Sequence, residues 1–423
     1  MIKIYNYGEV PASELFARTM TVSGVEGVVA DIIADVRARG DAAILDYCDK
    51  FDGGRPECLE VTPEEWDAAV AAVPQRFMDV LQKSAENIRA FHSHQVRTGF
   101  IINGADGVSL GQKITPLERV GLYVPGGTAS YPSSVLMNCI PAVLAGVGEI
   151  IMVSPAKGGV LKPIILAAAR VAGVNRVFKT GGAQSVAALA YGTESIPKVD
   201  KIVGPGNSFV AEAKRQVYGQ VDIDMIAGPS EILIVADGAS RADFVAADML
   251  SQAEHDRLAT AVLVTDSRPL AEAVAVELEK QLAVLPREEI ARASIETNGK
   301  IIVADNLQKA VDIANEIAPE HLELCVDNPL DYLGAVKHAG SIFMGRYCPE
   351  PLGDYFAGPN HTLPTMGTAR FSSPLSVDDF VKKSQFSYFT REALMKIADD
   401  VAYFADAEDL HAHAKSVTIR TED

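Results

Sequence analysis

The chain has 423 residues, of which 48% are apolar, and a formal charge of −18 at pH 7. A chain of this length buries a large apolar core and is too long for a single one, so two or more α/β units are expected. The negative charge argues against nucleic acid or an anionic membrane as the main partner, and it suits a small cationic substrate.

The cysteine pattern and the N-terminus indicate the cellular compartment. The five cysteines show no C-x-x-C spacing, which fits reduced thiols and argues against a disulfide framework or a thiolate metal site. The opening "MIKIYNYGEV" is not a secretion signal, and no apolar run reaches about 18 residues. These features predict a cytoplasmic protein that does not span a membrane.

The first hundred residues have a mostly helical pattern. In "TPEEWDAAVAAV", Thr62 is placed to cap a helix, Pro63 occupies its first position and Glu65 follows three residues after the cap. This is a capping box, in which each side chain bonds to the backbone of the other residue.

From about residue 115, short β-rich runs alternate with Ala-rich helical runs. A first series includes "RVGLYVPGG", "EIIMVSP" and "KIVGPGN", and a second includes "EILIVAD", "TAVLVTD", "GKIIVADN" and "LELCV". Strands that alternate with helices predict parallel sheets wrapped by helices, in two successive α/β units. The tail from about residue 376 is predicted to return to helices.

Three glycine motifs follow predicted strands of the first series: "PGGTASYPSS", "TGGAQS" and "VGPGNS". At such points a tight turn aims backbone N–H groups and helix N-termini at phosphate groups. None has the G-x-G-x-x-G spacing of the dinucleotide fingerprint. For any one of them, a simple strand-to-helix turn is the favoured alternative.

The stretch "DMLSQAEHDR" places Gln252 three residues before His255, which predicts that both side chains share one helix face. Together with Asp354 and a histidine of the tail they would supply two nitrogens and two oxygens, a set that suits zinc and tolerates manganese. Because these residues are far apart in sequence, their spacing alone does not decide whether they form a metal site.

Two further clusters have the residue types of acid/base chemistry. In "IAPEHLEL", Glu320 and His321 stand between a predicted helix and a strand, and the alternative is a helix-end histidine beside a solvated carboxylate. Asp354 and His361 lie in the irregular loop "PLGDYFAGPNHTLPT", which is too long for a simple connection.

The predicted terminal helix "AEDLHAHAK" carries Glu408, His411 and His413. A solvated polar face is the alternative interpretation of this cluster.

Eight blocks, in order, resemble the histidinol dehydrogenase family from about residue 20 to 420. They are "RVGLYVPGGTASYPSSVLMNCIPAVLAGV", "KTGGAQSVAALAYGT", "DKIVGPGNSFVAEAKRQV", "DMIAGPSEILIVAD", "LSQAEHD", "APEHLEL", "GDYFAGPNHTLPT" and "ARFSSPLSVDDFVKKSQF".

The resemblance implies a role for individual residues. It makes Glu320 and His321 the acid/base pair. The implied metal ligands are Gln252, His255, Asp354 and His413, with His413 chosen over His411 by the family's E-G-L-x-A-H pattern. The implied substrate contacts are Ser230, Gln252, His255, His321, Asp354, Glu408 and His413, and the implied NAD contacts are Tyr123, Gln184 and Asn207. Asp409 departs from the family's usual Gly, and a helical position is expected to tolerate it.

The resemblance also implies the fold and the assembly. It predicts two similar, incomplete Rossmann-like α/β/α domains with parallel sheets, plus small helical terminal segments. The expected boundaries are residues 1–120 with 234–375 for the first domain, 121–233 for the second, NAD-binding one, and 376–423 for a tail that reaches the partner of a homodimer. The implied cofactors are NAD and Zn²⁺, or Mn²⁺ in its place.

The implied reaction is the oxidation of L-histidinol to L-histidine with two NAD⁺, at the end of histidine biosynthesis. A sister dehydrogenase for another polar alcohol or diol, a metal-dependent hydrolase with Glu320 as its base, and a non-catalytic nucleotide-binding protein are the alternatives.

Overall fold

The structure, a computed structural model, describes residues 1–18, 24–126 and 130–422. The chain divides into two compact units: the first consists of Met1–Gln95 and Glu118–Phe380, and the second of Val96–Leu117 and Val381–Asp423. Each unit is described by itself.

The elements are numbered in chain order. The strands are β1 (Lys3–Asn6), β2 (Phe100–Asn103), β3 (Ser109–Pro116), β4 (Arg119–Tyr123), β5 (Glu149–Val153), β6 (Arg176–Phe178), β7 (Lys201–Val203), β8 (Asp222–Ile223), β9 (Glu231–Ala236), β10 (Thr260–Thr265), β11 (Lys300–Val303), β12 (His321–Cys325), β13 (Ser341–Met344) and β14 (Val381–Tyr388). The helices are α1 (Ala12–Leu15), α2 (Glu26–Arg39), α3 (Asp41–Phe51), α4 (Pro63–Ala72), α5 (Gln75–Ser93), α6 (Pro132–Ala145), α7 (Pro163–Ala172), α8 (Gly182–Tyr191), α9 (Ser208–Val217), α10 (Ala242–Ala253), α11 (Arg268–Leu282), α12 (Glu288–Thr297), α13 (Leu307–Ile317), α14 (Leu330–Leu333), α15 (Glu350–Tyr355), α16 (Arg391–Met395), α17 (Ala398–Ala407) and α18 (His411–Thr418).

A six-stranded parallel sheet, in the order β1-β11-β10-β9-β12-β13, forms one layer of the first unit. Successive residues of its central strand β9 point to opposite faces, as the two-residue period of a strand requires. Ile232 and Ile234 pack with α10, α11 and α12 on one face, whereas Leu233 and Val235 pack with α13 on the other. Burial on both faces explains why β9 is apolar throughout.

A five-stranded parallel sheet, in the order β6-β5-β4-β7-β8, forms the other sheet of this unit. Helices α2, α3, α8 and α9 share a core with one of its faces, and α6 packs on β4 and β5. Helices α2 and α3 therefore accompany this sheet, while β1 joins the six-stranded one, on which Leu15 of α1 also packs. The division into domains at residues 1–120, 121–233, 234–375 and 376–423 stays a prediction.

The predicted α/β class with parallel sheets is confirmed. The capping box is present as well: Thr62 Oγ1 accepts the Glu65 N–H at 3.2 Å, and Glu65 Oε2 accepts the Thr62 N–H at 2.8 Å. None of the helices in the described residues has the length and apolar character needed to cross a membrane.

The second unit contains a three-stranded antiparallel sheet in the order β14-β3-β2, followed by α16, α17 and α18. The predicted helices of the tail are present as α16, α17 and α18, but the prediction missed the strand that precedes them. The eight-residue strand β14, "VKKSQFSY", begins the tail, and all its residues after Val381 are exposed in the chain. Such a strand lacks the alternation of buried apolar residues by which a strand is recognised in sequence.

Candidate active site

Glu320 and His321 lie at the amino end of β12, and Ser230 directly precedes the neighbouring strand β9. These three residues therefore lie together at the amino edge of the six-stranded sheet. This position is unusual, because open parallel sheets commonly bind ligands at their carboxyl edge.

The imidazole of His321 is buried and held in one tautomer. Its Nδ1 lies 2.9 Å from the carbonyl oxygen of Glu231, and a carbonyl oxygen only accepts, so Nδ1 carries the proton. Burial lowers the pKa of His321 to about 4, and the nearby imidazoles of His361 and His255 act in the same direction. The ring is therefore neutral near pH 7, and Nε2 is its basic nitrogen.

The Glu320 carboxyl group is also buried. Its Oε2 accepts the backbone N–H of Glu231 at 2.8 Å and lies 3.7 Å from His321 Nδ1. Burial raises the pKa of Glu320 well above its ordinary value, and the negative charges of Glu231, Asp354 and Glu350 add to this effect. A carboxyl group with a raised pKa is a stronger base once it has lost its proton.

Asp354 lies on the short helix α15, and its Oδ1 is 3.3 Å from Nδ1 of His361. Burial opposes ionisation of Asp354, but the hydrogen bond with His361 and the surrounding imidazoles lower its pKa overall. The other ring nitrogen of His361 is 3.3 Å from Ser134 Oγ. His361 was noted in the sequence for its irregular loop, and the structure places it directly against Asp354.

Glu350, one turn before Asp354 on α15, is a site residue that the sequence analysis missed. Its Oε1 lies 3.8 Å from His321 Nε2, and burial together with the charge of Asp354 raises the pKa of Glu350 to about 9. Donor atoms of His321, Glu350 and Asp354 all lie within 4.8 Å of one another. Nothing in the motif "CPEPLGDY" distinguishes Glu350 from a solvated helix-start carboxylate.

Gln252 and His255 do not share a helix face as predicted, because α10 ends at Ala253 and His255 lies beyond it. The His255 N–H still donates to the Gln252 carbonyl at 3.2 Å, in the turn that leaves the helix. The Gln252 side chain is 1% exposed, and its Oε1 has no hydrogen-bond partner among the described residues. A buried, unpaired amide oxygen is costly unless a ligand completes it.

His255 lines a cavity of about 340 Å³ together with Tyr131, Glu254, Arg287 and Tyr355. His255 influences the pKa values of both Asp354 and His321, so it lies near these two side chains. An unpaired amide oxygen, an ionised carboxylate and imidazole nitrogens are the donor types that zinc and manganese take. The residues of the first unit therefore fit a divalent metal.

Glu408 and His413 belong to the second unit. Glu408 follows α17, His413 lies in the first turn of α18, and both are exposed in the chain. Their part in metal and substrate binding stays a prediction. His411 Nδ1 is 2.8 Å from Asp406 Oδ1 within the same unit.

Asp409 lies between α17 and α18 with φ +58°, so the expectation of a helical position was wrong. The chain makes a left-handed turn there, and glycine adopts this conformation without the steric cost that a side chain brings.

The residues predicted to contact NAD lie at the carboxyl side of strands in the five-stranded sheet. Tyr123 ends β4 and is 3% exposed, and its hydroxyl accepts the Gly182 N–H at 3.3 Å. Gln184 lies in the first turn of α8 and is 2% exposed. Asn207 caps α9, where its Oδ1 accepts the N–H groups of residues 209 and 210 at 3.1 Å each. These three contacts stay predictions.

One of the glycine turns at this edge requires glycine. Gly204 has φ +116°, and a Cβ atom there would lie 2.1 Å from the carbonyl oxygen of Tyr123. In the motif "PGGTASYPSS", residues 127–129 lie outside the described residues.

The chain is similar to known proteins over nearly its whole length. The family model described as Histidinol dehydrogenase matches residues 16–421. A histidinol dehydrogenase from Syntrophotalea carbinolica is 56% identical over 402 residues, covering 95% of this chain and 93% of that protein. One from Geobacter metallireducens is 55% identical over 399 residues, covering 94% and 92%.

Among solved structures, the crystal structure of histidinol dehydrogenase from Elizabethkingia anophelis superposes with a TM-score of 0.95 at 37% identity, covering 100% of this chain and 98% of that one. The match of sequence family, curated relatives and fold extends across the cluster around Glu320 and His321, and the chain belongs to the histidinol dehydrogenase family.

Proposed function

We propose that the chain oxidises L-histidinol through L-histidinal to L-histidine, with two NAD⁺ as hydride acceptors, in the last steps of histidine biosynthesis. Membership of the family supports this proposal. The observation that carries it is the buried pair at the start of β12, where a neutral imidazole with a basic Nε2 lies beside a carboxyl group of raised pKa.

The first half-reaction removes a hydride from the carbinol carbon and a proton from the hydroxyl group. The Nε2 lone pair of His321 accepts that proton, because the Nδ1–H bond to the Glu231 carbonyl fixes the tautomer and leaves Nε2 as the basic nitrogen. The positive charge that then forms on the ring is stabilised by the neighbouring Asp354 carboxylate.

The second half-reaction needs a hydrated aldehyde, because the hydride must leave a carbon that carries two oxygens. Glu320 is suited to accept a proton from the attacking water, since its raised pKa makes the ionised carboxylate a strong base. His321 serves again as the base when the hydrate loses its hydride. The two NAD⁺ molecules together take up the four electrons that separate the alcohol from the carboxylate.

Gln252, His255, Asp354 and His413 are the residues that would hold a metal, Zn²⁺ or in its place Mn²⁺. A bound metal would supply a Lewis acid for the polar groups of the substrate. The unpaired Gln252 Oε1 and the ionised Asp354 support this assignment. His413 would come from the second copy of the chain in a homodimer, and Ser230 and Glu408 would contact the substrate.

Tyr123, Gln184 and Asn207 would contact NAD at the carboxyl side of the five-stranded sheet. Asn207 uses its amide oxygen to cap α9, so its NH₂ group is the part available to a ligand.

NADH absorbance after addition of L-histidinol and NAD⁺ to the purified protein tests the function. Another polar alcohol or diol, at the same concentration, tests the sister dehydrogenase. Turnover of histidinol that yields two NADH per histidine supports the proposal, and preference for the other alcohol contradicts it.

A further inference from the structure

We infer that Arg18 is a positioning residue for the Glu320–His321 pair and that it acts through Glu231. This inference rests on the proposed function, because it assigns a second layer of support to the pair that performs the chemistry. Arg18 is 302 residues before Glu320 in the chain, yet the structure brings the two into one hydrogen-bonded group.

The Arg18 guanidinium binds both oxygens of the Glu231 carboxylate. Its Nε donates to Glu231 Oε1 at 2.6 Å, and its Nη2 donates to Oε2 at 3.0 Å. Glu231 is 4% exposed, and burial raises the pKa of its carboxyl group while the Arg18 charge opposes that rise. Paired hydrogen bonds from a planar guanidinium fix both the position and the orientation of a carboxylate.

Glu231 in turn binds both members of the pair through its backbone. Its N–H donates to Glu320 Oε2 at 2.8 Å, and its C=O accepts the His321 Nδ1–H at 2.9 Å. The Glu231 carboxylate also accepts the backbone N–H of Glu320. A shift of this one residue would therefore move the Glu320 carboxyl group, change the direction of the His321 ring and displace the adjacent Ser230.

The same guanidinium supports the turn that leads into the pair. Arg18 Nη2 donates to the Ile317 carbonyl at 2.6 Å and lies 3.4 Å from that of Ala318. Ala318 has φ +51°, a left-handed conformation that is unfavourable for alanine and must be held by its surroundings. Arg18 thus joins the two segments that meet at the site, the start of β9 and the turn before β12.

The inference predicts a loss of kcat with little change in the KM for NAD⁺. Arg18→Ala leaves a buried carboxylate without its counter-charge, and a displacement of about 1 Å at the pair is worth about 100-fold in kcat. Guanidinium chloride at millimolar concentration is expected to restore part of this kcat, because the guanidinium ion can bind the Glu231 carboxylate in place of the missing side chain. Arg18→Lys keeps the positive charge but not the planar pair of donors, and its kcat is expected to fall about tenfold.

Arg176 provides a matched control. Its guanidinium also grips a carboxylate, that of Glu60, with bonds of 2.8 and 2.7 Å, and lies 3.3 Å from the Ser195 carbonyl. It stands at the amino end of β6 in the other sheet. Arg176→Ala removes an ion pair of the same two-bond geometry, although a more exposed one, and is expected to keep the wild-type kcat with or without guanidinium.

A structural signal separates this inference from the proposed function. In protein labelled with ¹⁵N-histidine, the His321 resonance, assigned by its absence in His321→Asn, reports the Nδ1–H tautomer. We expect that signal to be lost or averaged in Arg18→Ala and kept in Arg176→Ala. If wild-type protein forms no NADH from histidinol, the proposed function fails, and the ring spectrum still tests the inference.

Two results would overturn the inference. One is an unchanged kcat and tautomer signal in Arg18→Ala. The other is a kcat loss that Arg176→Ala shares and that guanidinium leaves unrestored. If Arg18→Ala does not fold, Arg18→Lys decides by the same two readouts.

Discussion

At the scale of single residues, Asp409 stands where the family usually has glycine, and its backbone conformation lowers the stability of the fold. The residue links α17 to α18 with a positive φ, and its N–H donates to the Asp406 carbonyl at 3.0 Å. A residue with a side chain pays roughly 1–2 kcal/mol to adopt the left-handed region. Glycine avoids this cost, but part of the gain is lost because glycine has more conformational freedom in the unfolded chain.

Asp409→Gly is therefore expected to raise the free energy of unfolding by about 0.5 kcal/mol, measured by urea denaturation. Asp409→Val is the matched control, because a β-branched residue is strongly disfavoured at this φ, and it should destabilise by about 1–2 kcal/mol. Equal stabilities for the Gly and Val variants would mean that the turn does not have the described conformation.

Glu320 and His321 are neighbours in sequence with different tasks, so their replacements should separate the two half-reactions. Glu320→Gln is expected to slow the second hydride transfer more than the first, because only the second requires an activated water. His321→Asn should slow both by about 100-fold or more, since a base is needed each time. Single-turnover absorbance traces of the first and second NADH measure this directly. A first hydride slowed as severely as the second in Glu320→Gln would contradict the division of tasks.

At the scale of elements, the six-residue helix α15 depends on a buried carboxyl group for its position. Glu323 on β12 accepts the Glu350 N–H at the start of α15 at 2.7 Å. Burial and the adjacent charge of Asp248 raise the pKa of Glu323 well above its ordinary value, and burial raises that of Asp248 to about 6. Burial thus disfavours the ionised form of Glu323, while one oxygen of its carboxyl group anchors the helix that bears Asp354.

The uncharged amide of Glu323→Gln keeps an oxygen acceptor for the Glu350 N–H, so we expect a small change in the free energy of unfolding. Glu323→Ala leaves the Glu350 N–H buried without an acceptor and should cost about 2 kcal/mol. Urea denaturation of both variants at pH 7 is the measurement. A glutamine variant as unstable as the alanine variant would contradict the role of this oxygen as the anchor of α15.

These elements also mark the limit of prediction from sequence. The long strands and helices of the parallel sheets were predictable because their burial imposes apolar runs and regular periods, as in β9 and α10. The end of α10 before His255, the polar strand β14 and the anchoring of α15 by Glu323 depend on tertiary contacts. Glu350 and Arg18 could not be predicted from the sequence for the same reason, because their partners are distant in the chain.

At the scale of the whole molecule, the six-stranded sheet gathers Ser230, Glu320 and His321 at its amino edge, and α10 and α15 bring His255 and Asp354 to the same cluster. No spacing rule predicts that assembly, and the roles of these residues were inferred from the family resemblance. The part played by His413 rests on the proposed homodimer.

A mixed dimer tests whether His413 completes the site of a second copy. A chain with His413→Asn is paired with one carrying His255→Asn, each inactive by itself. If ligands come from both subunits, one site regains a full set, and activity should return to roughly half of the wild-type value. His411→Asn, whose ring pairs with Asp406, is the control and should remain active.

No recovery, in a sample whose mass shows the heterodimer, would mean that each chain builds its own site.

The antiparallel sheet of the second unit sets an order of events during synthesis. Strand β3 pairs with β14 from Pro116↔Val381 to Ser109↔Tyr388, across a separation of more than 260 residues. Strand β3, whose other neighbour β2 carries the exposed Ile101 and Ile102, is synthesised long before β14, so its edge on the β14 side stays unpaired. An unpaired edge of this kind is a template for wrong pairing, and such distant closure is slow. We therefore expect the nascent chain to be most vulnerable to aggregation until β14 emerges, and chaperones that shield early strands should matter more for its yield than for its final stability.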